Sequence, residues 1–287
     1  MKRFILPVIA LVLFSMHSFA QDEEPVKKDK PVSEPFFCGY LIDAQTTVIQ
    51  DVKTLGMAIQ HKFGTIENGK SDVWGIYGSA NMRLALDYVV YENLQVGYGL
   101  TKTDMVHDFN VKYTLFEQTR KNTIPVAVGF YGNMGLSGNP DKVYGVDYKF
   151  TDRMSYFGQV IVGRKFGERA TLQAAASFTH FNHADTAKYD FDRIGVHLSG
   201  RIKITETGSF IFNYDQPLKA LQLENNKDID LKPNVAFGWE IATATHAFQI
   251  FLGYSKEILP QYYMMREGKE FEFEQFNVGF VITRMWN

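Results

Sequence analysis

The chain has 287 residues, a formal net charge of −2, 45% apolar residues and one cysteine, Cys38. So balanced a charge gives no electrostatic footprint for nucleic acid, and a lone cysteine excludes an intramolecular disulfide framework. No stretch of eighteen apolar residues occurs, which excludes membrane-spanning helices. The 15% aromatic content leaves either a soluble all-β protein or a transmembrane barrel.

Residues 1–20 carry Lys2 and Arg3, then the apolar run Phe4 to Phe14, then small and polar residues up to Ala20. This is the layout of a secretory signal peptide, cleaved after Ala20. A run this short, interrupted by Pro7, does not cross ~30 Å of hydrocarbon as a helix. Residues 21–35, QDEEPVKKDKPVSEP, have only Val26 and Val32 as apolar content and are expected to form a disordered periplasmic tail. Residues 36–287 are expected to form one outer-membrane β-barrel domain. Within it Phe36–Lys53 reads either as an extra strand or as a plug in the lumen. Cys38, preceded by Phe36 and Phe37 rather than a lipobox, is expected to be a buried small apolar residue.

From Leu55 onward the chain alternates with period two. In Asn81 to Val89, Met82, Leu84, Leu86 and Tyr88 oppose Asn81, Arg83, Ala85 and Asp87. Leu94, Val96, Tyr98 and Leu100 oppose Gln95, Gly97, Gly99 and Thr101, and Phe109, Val111, Tyr113 and Leu115 oppose Asp108, Asn110, Lys112 and Thr114. Between Arg193 and Lys203, Ile194, Val196, Leu198 and Ile202 oppose Arg193, His197, Ser199, Arg201 and Lys203. Three cations on one face suit a polar lumen and would be costly in a sandwich core. Similar dyads at Leu55–Phe63, Val126–Met134, Tyr156–Gly163, Leu172–Thr179, Phe210–Asp215, Val235–Ala242, Phe248–Ser255 and Phe276–Thr283 bring the expected count to about twelve.

Connections alternate too, with short turns near Tyr91–Asn93, Thr119–Asn122, Phe166–Arg169, Thr205–Thr207 and Thr243–Thr245 and mostly longer polar loops between them. Lys102–Val106 is the short exception. This parity is that of an antiparallel transmembrane β-barrel with both ends of the chain in the periplasm. The last strand, closing on Trp286, is of the kind that barrel-assembly machinery reads. The fold expected is therefore all-β, a porin-like barrel set in outer-membrane lipid.

IQHKFGTIENG (Ile59–Gly69), ANMRLALDYVVYENLQVGYG (Ala80–Gly99), LSGRIKITETGSF (Leu198–Phe210) and EIATATHAFQIFL (Glu240–Leu252) resemble a β-barrel family of unknown function common in the Bacteroidota. The likeness runs from about Phe36 to the end, with His61-Lys62-Phe63-Gly64 and the Arg83 strand its most specific parts. Thr243-Ala244-Thr245 stands where the family often has two glycines before the histidine. The resemblance implies fold and location, and no activity.

The lumen-lining residues expected from the alternation are Lys62, Arg83, Asp87, Asp108, Lys112, Arg193, His197, Arg201, Lys203, Asp215 and Glu240. They either pair as a packed polar core or line a path that favours anions. Tyr88, Tyr91, Tyr98, Tyr131, Tyr156, Trp239, Tyr254 and Trp286 are expected in the interfacial belts. His180 and His183, in HFNHAD, face opposite sides of an extended segment, so no metal is expected there. His197 and Ser199 share a face, as a hydrolase pair could, but no local motif marks either as activated. No cofactor is expected. The expected function is non-enzymatic: passage of a small polar solute or support of a periplasmic partner. A sealed docking barrel is the alternative, and a lipid hydrolase a lesser one.

Overall fold

The computed structural model describes residues 29–183, 191–218, 232–266 and 271–287. The expected signal peptide and the first part of the tail lie outside the described residues. A two-residue hairpin, β1 (Tyr40–Leu41) and β2 (Ala44–Gln45), precedes the wall strands. These are β3 (Leu55–Thr65), β4 (Asn81–Tyr91), β5 (Leu94–Thr101), β6 (Val106–Phe116), β7 (Ala127–Leu136) and β8 (Met154–Phe166). They continue as β9 (Ala170–Phe181), β10 (Asp192–Lys203), β11 (Gly208–Leu218), β12 (Asn234–Thr243), β13 (His246–Gly253) and β14 (Asn277–Trp286). One short helix, α1 (Pro260–Met265), lies between β13 and β14.

The twelve wall strands pair antiparallel with their neighbours in sequence, and β14 closes on β3 with Trp286 opposite Leu55. Closure leaves no unpaired strand edge, the condition for crossing hydrocarbon with strands. Each predicted strand falls on one of β3–β14, and the short turns gather at one rim. On β6, Phe109, Val111 and Tyr113 are exposed while Asp108 and Lys112 are 0% and 1% exposed. Apolar side chains outside and charged ones inside invert the order of a water-soluble sandwich, and they suit a barrel set in lipid.

Phe36–Lys53 adds no wall strand. From the short-turn rim it enters the lumen, turns through β1–β2, and returns to that rim at Thr54, whose hydroxyl donates to Asn287. The tip is strained, because Ile42, a β-branched residue, takes φ 55°. Gln249 and Gln60 of the wall hold it: the Ile42 amide donates to Gln249 Oε1 at 2.8 Å and Gln60 Nε2 donates to the Ile42 carbonyl at 3.3 Å. Phe36, Leu41 and Ile42 pack against Ile211, Ala236, Phe251 and Val281 of the wall. Cys38 is buried there, as expected, with Tyr40, Ala58, Ala85 and Ala247.

From the long-loop rim a second insert descends. All six residues of α1 are buried, and Tyr263 and Met264 pack on Tyr131, Phe157 and Ile161. Between the two inserts is a cavity of about 10 Å³ bordered by Asp43, Gln60, Arg83 and Tyr263, room for about one water.

The expectation of a disordered tail does not hold for its described part, residues 29–35. Val32 N–H donates to the Gln118 carbonyl at 2.9 Å, Arg120 N–H to that of Lys30 at 2.9 Å, and Lys121 N–H to the Asp29 carboxylate. Backbone pairing with the β6–β7 turn supplies the order that its composition conceals.

Leu41→Ala is expected to destabilise the barrel by about 2–5 kcal/mol, since it leaves a cavity in a dry core. The urea midpoint of the protein folded in lipid vesicles measures this, and an unchanged midpoint would mean that the hairpin is not packed.

Candidate functional site

The inner wall is the place where charge concentrates. Lys62 Nζ of β3 donates to Asp43 Oδ2 of the hairpin at 2.7 Å and to the Ser255 and Glu257 carbonyls of the β13–β14 connection at 2.9 and 2.8 Å. Arg201 pairs with Glu240 at 2.7 Å, and Gln249 Nε2 donates to the other oxygen of that carboxylate at 2.9 Å. Asp87 accepts from the Tyr40 hydroxyl at 2.6 Å. Lys112 donates to the Gly39 carbonyl at 3.1 Å and stands over the Tyr40 ring. Buried charges are stable only when neutralised and hydrogen-bonded, and the inserts supply much of that here.

Arg83 reaches from β4 across β5 to β6. Its Nε and Nη2 meet the two Asp108 oxygens at 2.8 and 2.7 Å, and Nη1 donates to Gln60 at 2.9 Å. Asn133 donates to the same carboxylate at 2.9 Å, and Gln261 of α1 donates to Asn133 at 2.7 Å. The fork passes over Gly99, where an added Cβ would lie 2.7 Å from Arg83 and would also collide with Asp108. The glycine is there because the ion pair occupies the space of its side chain.

On the next sector, β9, β10 and β11 bring Ser177, His197 and Asp215 together. Asp215 Oδ1 lies 2.7 Å from His197 Nδ1, and Ser177 Oγ lies 2.7 Å from His197 Nε2. Asn234 Nδ2 donates to the other Asp215 oxygen at 2.8 Å and to Asp43 at 3.2 Å. The serine beside His197 is thus Ser177 of the neighbouring strand and not Ser199, because an imidazole lying along the wall reaches sideways more easily than along its own strand. That neighbour follows from strand register, which one sequence does not print.

The other expected lumen residues face inward, with Arg193 buried and donating to the Leu218 carbonyl. Lys203 is the exception: it is half-buried at the short-turn rim, beside the Arg169 turn. Alternation does not point to Asp43 and Tyr40, which belong to the hairpin, or to Gln60 and Gln249, which face the lumen without a charge.

Tyr88, Tyr98, Trp239 and Trp286 present rings to the outside, as do Tyr91 and Tyr156. Tyr88, Leu55 and Trp286 sit level across β4, β3 and β14 near the short-turn rim. Two belt residues are corrected. Tyr131 points into the lumen against Phe157, and Tyr254 is buried under Phe271 and Phe276 of the following loop. His180 binds Asp192 at 2.7 Å and Asn182 at 3.0 Å, while His183 stands edge-on to Tyr144; Asp185 lies outside the described residues.

The model of a family described as a membrane bound beta barrel domain matches residues 36–286. The COG4313 outer membrane channel from Pseudomonas putida F1 is similar in structure, with a TM-score of 0.51 at 14% identity over 83% of this chain and 97% of that one. The NanC porin is similar with a TM-score of 0.51 at 9% identity over 81% of this chain and 100% of that one. At such identities the likeness is one of fold. No curated protein matches the chain.

Gly99→Val is expected to separate Arg83 from Asp108 and destabilise the barrel by about 3–5 kcal/mol, the cost of breaking a buried pair. Heat-modified gel mobility and a denaturant midpoint report it, and wild-type values would show that the pair does not need the glycine.

Proposed function

The chain belongs to the DUF5777 family of membrane bound beta barrel domains, and on that premise we propose that it is an outer-membrane barrel closed at rest, whose charged wall becomes a passage for small polar solutes when the inner hairpin withdraws. The observation that carries this is the path of the hairpin. It enters and leaves by the same rim, from residues 29–35 to Thr54, so it can withdraw without threading and without breaking the wall. Lys62, Arg83, Asp87, Lys112, Arg201 and Glu240 would then line a wetted lumen, for which charged side chains are suited. Against an apolar packing of equal volume they offer a permanently dry core little stability.

Withdrawal is opposed by the burial of Phe36, Leu41 and Ile42. At about 1.5–3 kcal/mol per side chain, the three favour the closed state by roughly 10³- to 10⁷-fold. Opening therefore calls for a pull, and a periplasmic partner grasping residues 21–35 is the agent we infer. Export by a signal peptide at residues 1–20, assembly by the barrel machinery and a Bacteroidota source belong to the same proposal. The apolar contacts of the hairpin favour a second reading, a permanently sealed barrel that docks partners at its rims.

Planar-bilayer recording separates the two. The wild-type barrel is expected to stay near background conductance, and Leu41→Asp/Ile42→Asp, which drives the hairpin out, is expected to show stepwise openings. A doubly substituted barrel that is folded by gel mobility yet silent would overturn the passage and leave the sealed reading.

A further inference from the structure

Asp215, His197 and Ser177 stand in the order and at the distances that activate a serine. An aspartate on Nδ1 fixes the tautomer that leaves Nε2 free to accept a proton, and Nε2 is 2.7 Å from Ser177 Oγ. The second Asp215 oxygen is held by Asn234, and the Phe157 ring stands edge-on to the imidazole at 6.1 Å between centroids, so the histidine is pinned on two sides. All three residues are at least nine-tenths buried.

A hydrogen-bonded trio in a barrel wall could be structural. What distinguishes this one is the space in front of it. Gly195 lies opposite Ser177 on β10, and the place of its missing side chain is 2.8 Å from Ser177 Oγ and 3.2 Å from His197 Nε2. The same place is filled by the terminal methyl of Met264 from α1. The wall thus leaves room for a small group directly at the nucleophile, and a flexible apolar side chain from the long-loop insert occupies it. The insert is fastened by Arg266, which pairs with Glu257 and Asp104 and stacks on Tyr262. Burial works against the Arg266 charge, and the two carboxylates outweigh it, raising its pKa above the ordinary value.

We infer that Ser177, His197 and Asp215 form a nucleophilic site for carboxylic esters with a short acyl group, roofed by Met264 and reached from the long-loop rim. In the first half, Ser177 Oγ bonds to the ester carbonyl carbon as its proton passes to His197 Nε2. The bond to the alcohol then breaks, and the alcohol leaves with that proton. In the second half, water bonds to the acyl carbon and gives its proton to Nε2; the Oγ–acyl bond breaks, the acid leaves, and Ser177 regains its proton. Asp215 acts as a positioning residue through the histidine. Arg193, two residues before Gly195 on the same face, is the cation nearest along β10 to offset charge on the carbonyl oxygen. The inner hairpin, which enters from the other rim, meets the site only through Asn234, which donates to both Asp215 and Asp43.

The test is covalent labelling of the full barrel in detergent with a fluorophosphonate probe, read by mass spectrometry of the Ser177 peptide, with hydrolysis of p-nitrophenyl butyrate alongside. Met264→Ala, which removes the roofing group, is expected to label at Ser177 at least tenfold faster than wild type. Arg266→Gln, which loosens the insert from outside, is expected to act in the same direction. In the Met264→Ala background, Ser177→Ala should abolish labelling and His197→Asn should slow it by about 10²–10⁴. Asp215→Asn should slow it as well, and Asp215→Glu, which keeps a carboxylate on Nδ1, should recover part of the rate. No adduct at Ser177 in either roof variant, with gel mobility showing both folded, would overturn the inference. So would an adduct confined to Ser199, or a labelling rate in Asp215→Asn equal to that of its parent.

Discussion

One ammonium group joins the three parts of the molecule. Lys62 projects from the wall, takes its counter-charge from Asp43 of the inner hairpin, and donates to two carbonyls of the connection that leads into α1. A lysine side chain is exposed to solvent almost everywhere else in proteins, and at 1% exposure it survives only with its charge neutralised and its protons placed. The wall supplies the cation, and the inserts supply what makes it tolerable. Closing the sheet solves the backbone problem of a barrel in lipid, but it leaves a polar inner face that must be either wet or partnered. Here the chain partners it with its own segments.

That arrangement explains features that look unrelated. The strained Ile42 tip is affordable because wall glutamines take both its backbone groups. Gly99 and Gly195 clear space on the inner face, one for an ion pair reaching across a strand and the other for a methyl group in front of a serine. The two inserts come from opposite rims and meet at a cavity the size of a water molecule. A solute path and an ester site are compatible in one barrel because they call on different inserts.

Strand number, register of the faces and turn parity were legible because period-two alternation between lipid and lumen is a local property of the sequence. Arg83 and Asp108 could be placed on the inner face from their neighbours alone, as could the outward rings of Tyr88 and Trp286. Their partners could not, since Arg83 meets Asp108 by spanning an intervening strand and His197 meets Ser177 across the β9–β10 register. Phe36–Lys53 was open between strand and plug because apolar residues wrapped in a lumen follow no period. Tyr254 and Tyr131 differ from the expected belt for a related reason: an aromatic near a strand end is a belt residue only if nothing covers it and its side chain points outward. The order of residues 29–35 rests on backbone hydrogen bonds that charged composition hides.

The central claim is that the chain fills its own lumen, and Cys38 reports on it directly. The single thiol of the protein sits on the inner hairpin at 1% exposure, with its sulfur 3.4 Å from the Tyr40 carbonyl. The decisive measurement is the rate at which a membrane-impermeant maleimide labels Cys38 in the folded barrel, compared with the chain in urea. The account predicts that the folded protein stays unlabelled over a period in which the unfolded chain reacts to completion. Labelling of the folded barrel at the rate of the unfolded chain would contradict it.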